Sequence, residues 1–322
     1  MRSIVAGIVV VGLAASSVEG ALVAADSYKI GPDRASGEYA AASLNSTAQD
    51  GLVTPGFATG RHTAGSGTSN FTATANGLEN TTVGATSDGS GKVNWLGLST
   101  IDGTYRSVAR NLSPAAPSSS TYYMSHLVNR GDMPQSGGTG YVMTGFGNAT
   151  APTITGVDNA TSGTLAGLYV GYAQNGVDGN FGNLVIRSRN APSNTAADTV
   201  LIDGSTTSTF GNTYHVVMKI DVNVSGGTDN VTWWLDPTNG ASDATLTETA
   251  TATGTFSSFA LQGNTDLIRL NYATLGWNGT AFFDEPRLST DLAGLALAVP
   301  EPAGLTGLAL GTMLLARRGR RA

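Results

Sequence analysis

Between residue 26 and residue 298 the apolar positions do not recur at helical spacing. They fall in short runs of four to a dozen residues, separated by clusters of Gly, Asn, Ser and Asp. Runs of this length bounded by turn formers read as β-strands. The pattern predicts strands at Lys92–Leu98, Thr121–Asn129, Gly140–Phe146, Leu165–Ala173, Asn183–Arg189, Thr199–Asp203, Thr213–Val224, Asn230–Leu235, Thr255–Gln262, Leu267–Leu275 and Thr280–Leu288. The segment Ser225-Gly-Gly-Thr-Asp229 reads as a hairpin loop between two of them. About a dozen strands without intervening helices predict two antiparallel sheets stacked as a sandwich, because parallel strands would need crossover helices. No short internal repeat supports a β-helix. Residues 26–91 carry weaker patterning. They predict an edge strand near Glu38–Leu44 and long loops after it, attached to the same domain.

Composition agrees with many short strands and polar turns. Of 322 residues, 40% are hydrophobic and only 12% are charged, with lysine confined to Lys29, Lys92 and Lys219. Repeated aromatic and aliphatic runs argue against disorder. Net charge is −6. Removing the two ends discussed next would take away five arginines but only two glutamates, leaving a more acidic body. Phosphate backbones would repel it, so nucleic acid is not an expected partner. The chain has no cysteine. That excludes disulfides, thiolate metal sites and cysteine nucleophiles, and leaves stability to core burial.

Residues 1–25 have the order of a secretion signal. Arg2 supplies the positive charge, Ile4–Ala15 is an apolar run too short to span a bilayer, and small residues follow. Cleavage fits after Gly20, with Val18 three residues before the cut, or after Ala25, with Val23 in that place. At the other end Val299-Pro300-Glu301-Pro302 precedes the uniformly apolar Ala303–Ala316 and the basic cluster Arg317, Arg318, Arg320 and Arg321. The prolines end any preceding element. As a helix the apolar stretch would run roughly 21 Å at about 1.5 Å per residue, against a hydrocarbon core about 30 Å thick. Snorkelling arginines would extend its reach and hold that end in the cytoplasm, with the body outside.

Pro-Glu-Pro, a short apolar helix and a terminal arginine cluster together resemble the PEP-CTERM sorting domain over Val299–Ala322. The resemblance implies recognition by an exosortase, cleavage near the motif and delivery to the cell surface or extracellular matrix. Three further stretches carry a second likeness. They are Tyr105–Leu112 followed by Thr121–Arg130, Thr213–Asp221 leading into Val231–Pro237, and Phe282–Leu288. These resemble the concanavalin A-like, LamG-type jelly rolls, a family that includes glycan binders, adhesion modules and hydrolases.

The candidate chemistry is sparse. Outside the two ends glutamate occurs only at Glu38, Glu79, Glu248 and Glu285, and no strand carries carboxylates at alternate positions. Asp284 and Glu285 are adjacent and predicted on opposite faces of a strand, so they do not form a glycosidase pair. Glu285 is expected either on a solvated face or paired with Arg287, two residues on and on the same side of the strand. His62, His126 and His215 are isolated and read as structural; no Gly-x-Ser-x-Gly elbow occurs. Calcium is the only metal the sequence raises. Asp221–Gly226 mimics the start of a calcium loop but has Thr232 at the twelfth position, and Asp178-Gly-Asn180 is a second oxygen-rich turn. The doublets Tyr122-Tyr123, Trp233-Trp234 and Phe282-Phe283 place one ring on each face of a strand, so an outward Trp or Tyr could stack on a sugar. The resulting expectation is an exported, non-catalytic surface or matrix protein that binds polysaccharide. A glycan-active hydrolase and a ligand-free coat protein are the alternatives.

Overall fold

A computed structural model describes residues 22–66, 71–80, 85–86, 91–95, 105–114, 116–117, 119–131, 141–148, 166–174, 181–189, 199–201, 211–222, 229–237, 252–256, 269–275 and 279–295. The residues expected to form a sorting motif, apolar tail and arginine cluster (299–322), most of the expected leader (1–21), Asp178–Asn180 and residues 223–228 lie outside these residues.

Seventeen strands are described. In chain order they are β1 (Leu22–Ala25), β2 (Thr63–Ser66), β3 (Phe71–Thr74), β4 (Glu79–Asn80), β5 (Ala85–Thr86), β6 (Lys92–Trp95), β7 (Tyr105–Asn111), β8 (Thr121–Arg130) and β9 (Tyr141–Asn148). They continue with β10 (Ala166–Gln174), β11 (Phe181–Arg189), β12 (Thr199–Leu201), β13 (Thr213–Asp221), β14 (Asp229–Leu235), β15 (Ala252–Phe256), β16 (Arg269–Leu275) and β17 (Ala281–Ser289). Sheet I has the order β15-β14-β13-β8-β17-β6-β3, with β1 also on β17. Sheet II has the order β12-β11-β10-β9-β16-β7-β2, and β4–β5 is a separate ribbon. Every strand pair is antiparallel. The chain passes repeatedly between the sheets, with β7 in II, β8 in I, β9–β12 in II, β13–β15 in I, β16 in II and β17 in I. The fold is therefore the two-sheet antiparallel jelly-roll sandwich that the strand pattern predicts. Each of the eleven predicted strands overlaps an observed one, and β13–β14 pair as the expected hairpin, Asp221 opposite Asn230.

The core follows from the two-residue period of a strand. Sheet I turns Tyr122, Met124 and Val128, then Val216, Met218 and Ile220, then Val231 and Trp233, inward. Sheet II answers with Val142 and Phe146, Leu168, Val170 and Tyr172, Leu184 and Ile186, and Leu270 and Tyr272. All are buried, at about 1.5–3 kcal/mol for each large side chain. This supplies the stability that a chain without disulfides needs.

One expectation is corrected. No edge strand forms at Glu38–Leu44; only the isolated bridges Ile30–Tyr39 and Ser43–Thr72 occur there. The reason is Gln49. Its side-chain oxygen accepts from the Ala40 amide at 3.0 Å and its Nε2 donates to the Ala40 carbonyl at 2.9 Å. Both backbone groups of Ala40 are thereby engaged by a side chain instead of a neighbouring strand.

Candidate functional site

The aromatic doublets divide as the strand period requires. Trp233 and Tyr122 are fully buried between the sheets, and the Tyr122 hydroxyl donates to the Pro117 carbonyl. Trp234 and Tyr123 lie on the outer face of sheet I. There they pack, half-buried, around Val217, Leu292 and Leu295. The segment after β17 thus seals one end of that face. Phe283 enters the core, while Phe282 lies outside beneath Lys92, whose Nζ is 4.9 Å from the ring centroid.

The carboxylates of β17 behave differently from simple alternation. The ladder to β8 shifts between Asp284 and Arg287, and Glu285 takes φ +47°, as at a bulge. Both carboxylates are consequently buried. Glu285 pairs with Arg287, Oε2 to Nη2 3.0 Å, as its spacing predicts. Asp284 accepts from the backbone amides of Leu78 and Glu285, each at 2.8 Å. The three histidines are buried with neither ring nitrogen hydrogen-bonded. Burial holds His215 down to about 4, reinforced by Arg287, and His126 down to about 3, reinforced by His215. Burial also holds His62 well below the ordinary histidine value, with Arg110 adding to the effect. Uncharged, unpartnered rings of this kind are core residues, not proton shuttles.

Among the described residues, a group of accessible polar side chains gathers at one end of sheet I, where β13 begins and β14 finishes. A pocket of about 260 Å³ is lined there by Glu79, Asn80, Gly211, Asn212, Thr213, Tyr214 and Asp236. Asp236 follows β14 with φ +50°, a conformation that Asp and Asn tolerate better than most residues. Its amide donates to the His215 carbonyl at 2.8 Å, and its Oδ1 accepts from the His215 amide at 2.7 Å. The side chain thereby extends the β13–β14 ladder by one bond and fixes its own rotamer. The same Oδ1 accepts from Asn80 Nδ2 at 2.5 Å. Asn80 is carried there by β4, and Leu78 of the same segment is bonded to Asp284. The opposite wall is held by Asn129, whose Nδ2 donates to the Gly211 carbonyl at 2.8 Å and to Thr213 Oγ1 at 3.1 Å. Burial pushes the Asp236 carboxyl up, against the two hydrogen bonds that lower it. The pocket presents amides, hydroxyls and carboxylates from prepositioned backbone, a set suited to hydrogen-bonding a polyhydroxylated ligand.

None of Glu79, Asn80, Asn212 and Asp236 stands out as a site in the sequence. Asn80 and Asp236 are 156 positions apart and meet only through the fold. A second pocket, of about 250 Å³, lies where β1 meets β17, lined in part by Asp26, Lys29, Thr54, Glu285 and Arg287. Its charges are already paired: Arg287 with Glu285, Lys29 with Glu38 at 3.1 Å, and Asp26 with Arg110 at 3.5 Å. Among the described residues no group of three or more His, Asp or Glu side chains gathers around a possible metal position, and no helix is long and apolar enough to cross a membrane.

No protein-family model matches the chain, and no curated protein matches it. Among solved structures it is similar to the globular domain of Trypanosoma cruzi calreticulin, at 10% identity over 92% of this chain and 99% of that one, with a TM-score of 0.46. It is also similar to the Emp46p carbohydrate recognition domain, at 7% identity over 69% and 88% of the two chains, TM-score 0.38. A third is the lectin UEA-II complexed with galactose, at 12% identity over 68% and 92%, TM-score 0.36. Likenesses this distant assign no activity to the chain.

Proposed function

We propose that this chain is an exported bacterial protein, sorted through Val299-Pro300-Glu301-Pro302 to the cell surface or extracellular matrix, where its jelly roll binds polysaccharide without catalysis. The observation that carries the binding assignment is the pocket built by Asn80, Asp236, Asn212 and Thr213. It is open and polar; Asp236 is fixed by the His215 amide, Asn80 by its bond to Asp236, and Thr213 by its bond from Asn129. The sorting assignment rests on the order of motif, apolar stretch and arginines at the C-terminus. An exosortase and the secretion machinery are then the processing partners, and the membrane is a partner only through the tail before cleavage.

One observation favours a second reading, a glycan hydrolase. Glu79 and Asp236 line the same pocket, and burial raises the Asp236 carboxyl in the direction a general acid requires. Asp236 Oδ1 is, however, committed to two donors, one of them backbone. The two readings separate in one experiment. The mature protein is incubated with extracellular bacterial polysaccharides while retention and polymer length are followed. Retention without shortening is expected; shortening would establish the hydrolase.

A further inference from the structure

The leader permits cleavage after Gly20 or after Ala25, and the fold distinguishes between them. Residues 22–25 are strand β1, which pairs with the second half of β17: Leu22 with Ser289, Ala24 with Leu288 and Ala25 with Arg287. Ala24 is fully buried in the main core. Gly56 lies flat on this strand, so that a Cβ there would sit 2.0 Å from the Val23 carbonyl oxygen and 2.6 Å from the Ala24 Cα. The Ala25 amide donates to the Pro55 carbonyl at 3.3 Å, and the Asp26 amide to the Pro286 carbonyl at 3.2 Å. Residues 22–26 are therefore built into the domain on both sides.

We propose that the leader is removed between Gly20 and Ala21, so that the folded protein begins one residue before β1. This rests on the reading of the chain as exported. The step is hydrolysis by a leader peptidase: the Gly20–Ala21 amide breaks, water supplies the hydroxyl to the Gly20 carbonyl carbon, and the proton goes to the Ala21 nitrogen. Cleavage after Ala25 conflicts with the fold in two ways. It removes β1 and opens the edge of β17 from Arg287 to Ser289, leaving unpaired backbone groups. It also turns the Asp26 nitrogen into an α-ammonium at a residue only 2% exposed. That group carries three donors and has the Arg110 guanidinium as a close neighbour through Asp26, so a second positive charge enters a site already neutralised by one pair.

The test is the N-terminus of the mature protein recovered from the surface or medium of a bacterium expressing the full chain. Ala21 is expected. A folded, protease-resistant product beginning at Asp26 would overturn the proposal while leaving export intact. A full-length chain retained inside the cell would overturn the export reading, and the proposal with it. A second variant, Val18→Glu, places a charge three residues before the first cut and lies in the discarded leader, so it cannot unfold the domain. The yield of mature protein is expected to fall at least tenfold; an unchanged yield with Asp26 as first residue would contradict the proposal.

Discussion

Arg110 and Asp26 are bonded between the two sheets: Nη1 lies 3.5 Å from Oδ2, with both side chains almost fully buried. Arg110 belongs to β7 of sheet II, and Asp26 follows β1 of sheet I. The remaining donors of Arg110 reach the Leu52 carbonyl at 3.1 Å, the Ala58 carbonyl at 3.0 Å and Thr54 Oγ1 at 2.7 Å. Tyr39 donates its hydroxyl to Asp26, and the Tyr28 amide donates to the same carboxylate at 3.1 Å. One guanidinium thus organises residues 26–58, a stretch with little regular structure, against the sandwich. Since both charges are desolvated, removing either leaves the other uncompensated.

Arg110→Met is therefore expected to destabilise the protein by about 3–5 kcal/mol, and Asp26→Asn by a smaller but clear amount. The double variant is expected to be less destabilised than the sum of the two. Urea unfolding of the four proteins measures this coupling, and strict additivity would show that the pair is not energetically linked.

The buried histidines make stability depend on pH. His126 and His215 titrate in the folded state at about 3 and about 4, against about 6.5 in an unfolded chain. Between those values the unfolded state binds more protons, so stability is full above about pH 6.5 and falls as the pH drops towards 4. The slope is about 1.4 kcal/mol per pH unit for each neutral histidine. Melting temperature should hold from pH 7.5 to about 6.5 and decline from there to pH 4.5, and His215→Phe should make the decline shallower.

Trp233 and Trp234 are neighbours in sequence with different jobs. Trp233→Ala empties a core position and is expected to cost about 3–5 kcal/mol. Trp234→Ala uncovers part of a half-buried outer-face cluster and is expected to cost distinctly less. Denaturant midpoints of the two single variants decide this, and equal costs would contradict the assignment of faces.

Most strands from Lys92 onward were legible because they carry an apolar row, as Val216, Met218 and Ile220 do in β13; β7 was not predicted, since Arg106, Ser107 and Arg110 interrupt its apolar positions. The first third was not, since β4 and β5 are two residues long and β2 is Thr-Ala-Gly-Ser, with no apolar alternation to read. Leu22–Ala25 illustrates a real ambiguity: small apolar residues suit both a leader exit and an edge strand, and only the pairing with β17 separates them. The Glu285–Arg287 pair could be foreseen from spacing within one strand. The Asn80–Asp236 contact could not, because it joins a two-residue strand to the turn after β14 through a topology that local pattern does not specify. Arg110 was likewise silent, one arginine among many polar residues until the fold buries it.

The central claim is that the pocket at the β13–β14 end of sheet I binds polysaccharide. The most direct test is binding of the protein to an array of bacterial polysaccharides, beside Asn80→Ala and Asp236→Asn. Asparagine keeps the positive φ accessible and the amide-accepting oxygen at position 236, so that variant should fold. Binding weakened at least tenfold in both variants, with melting temperatures close to that of the parent protein, is the predicted result. Undiminished binding by both folded variants, or no binding by the parent protein to any polysaccharide, would contradict it.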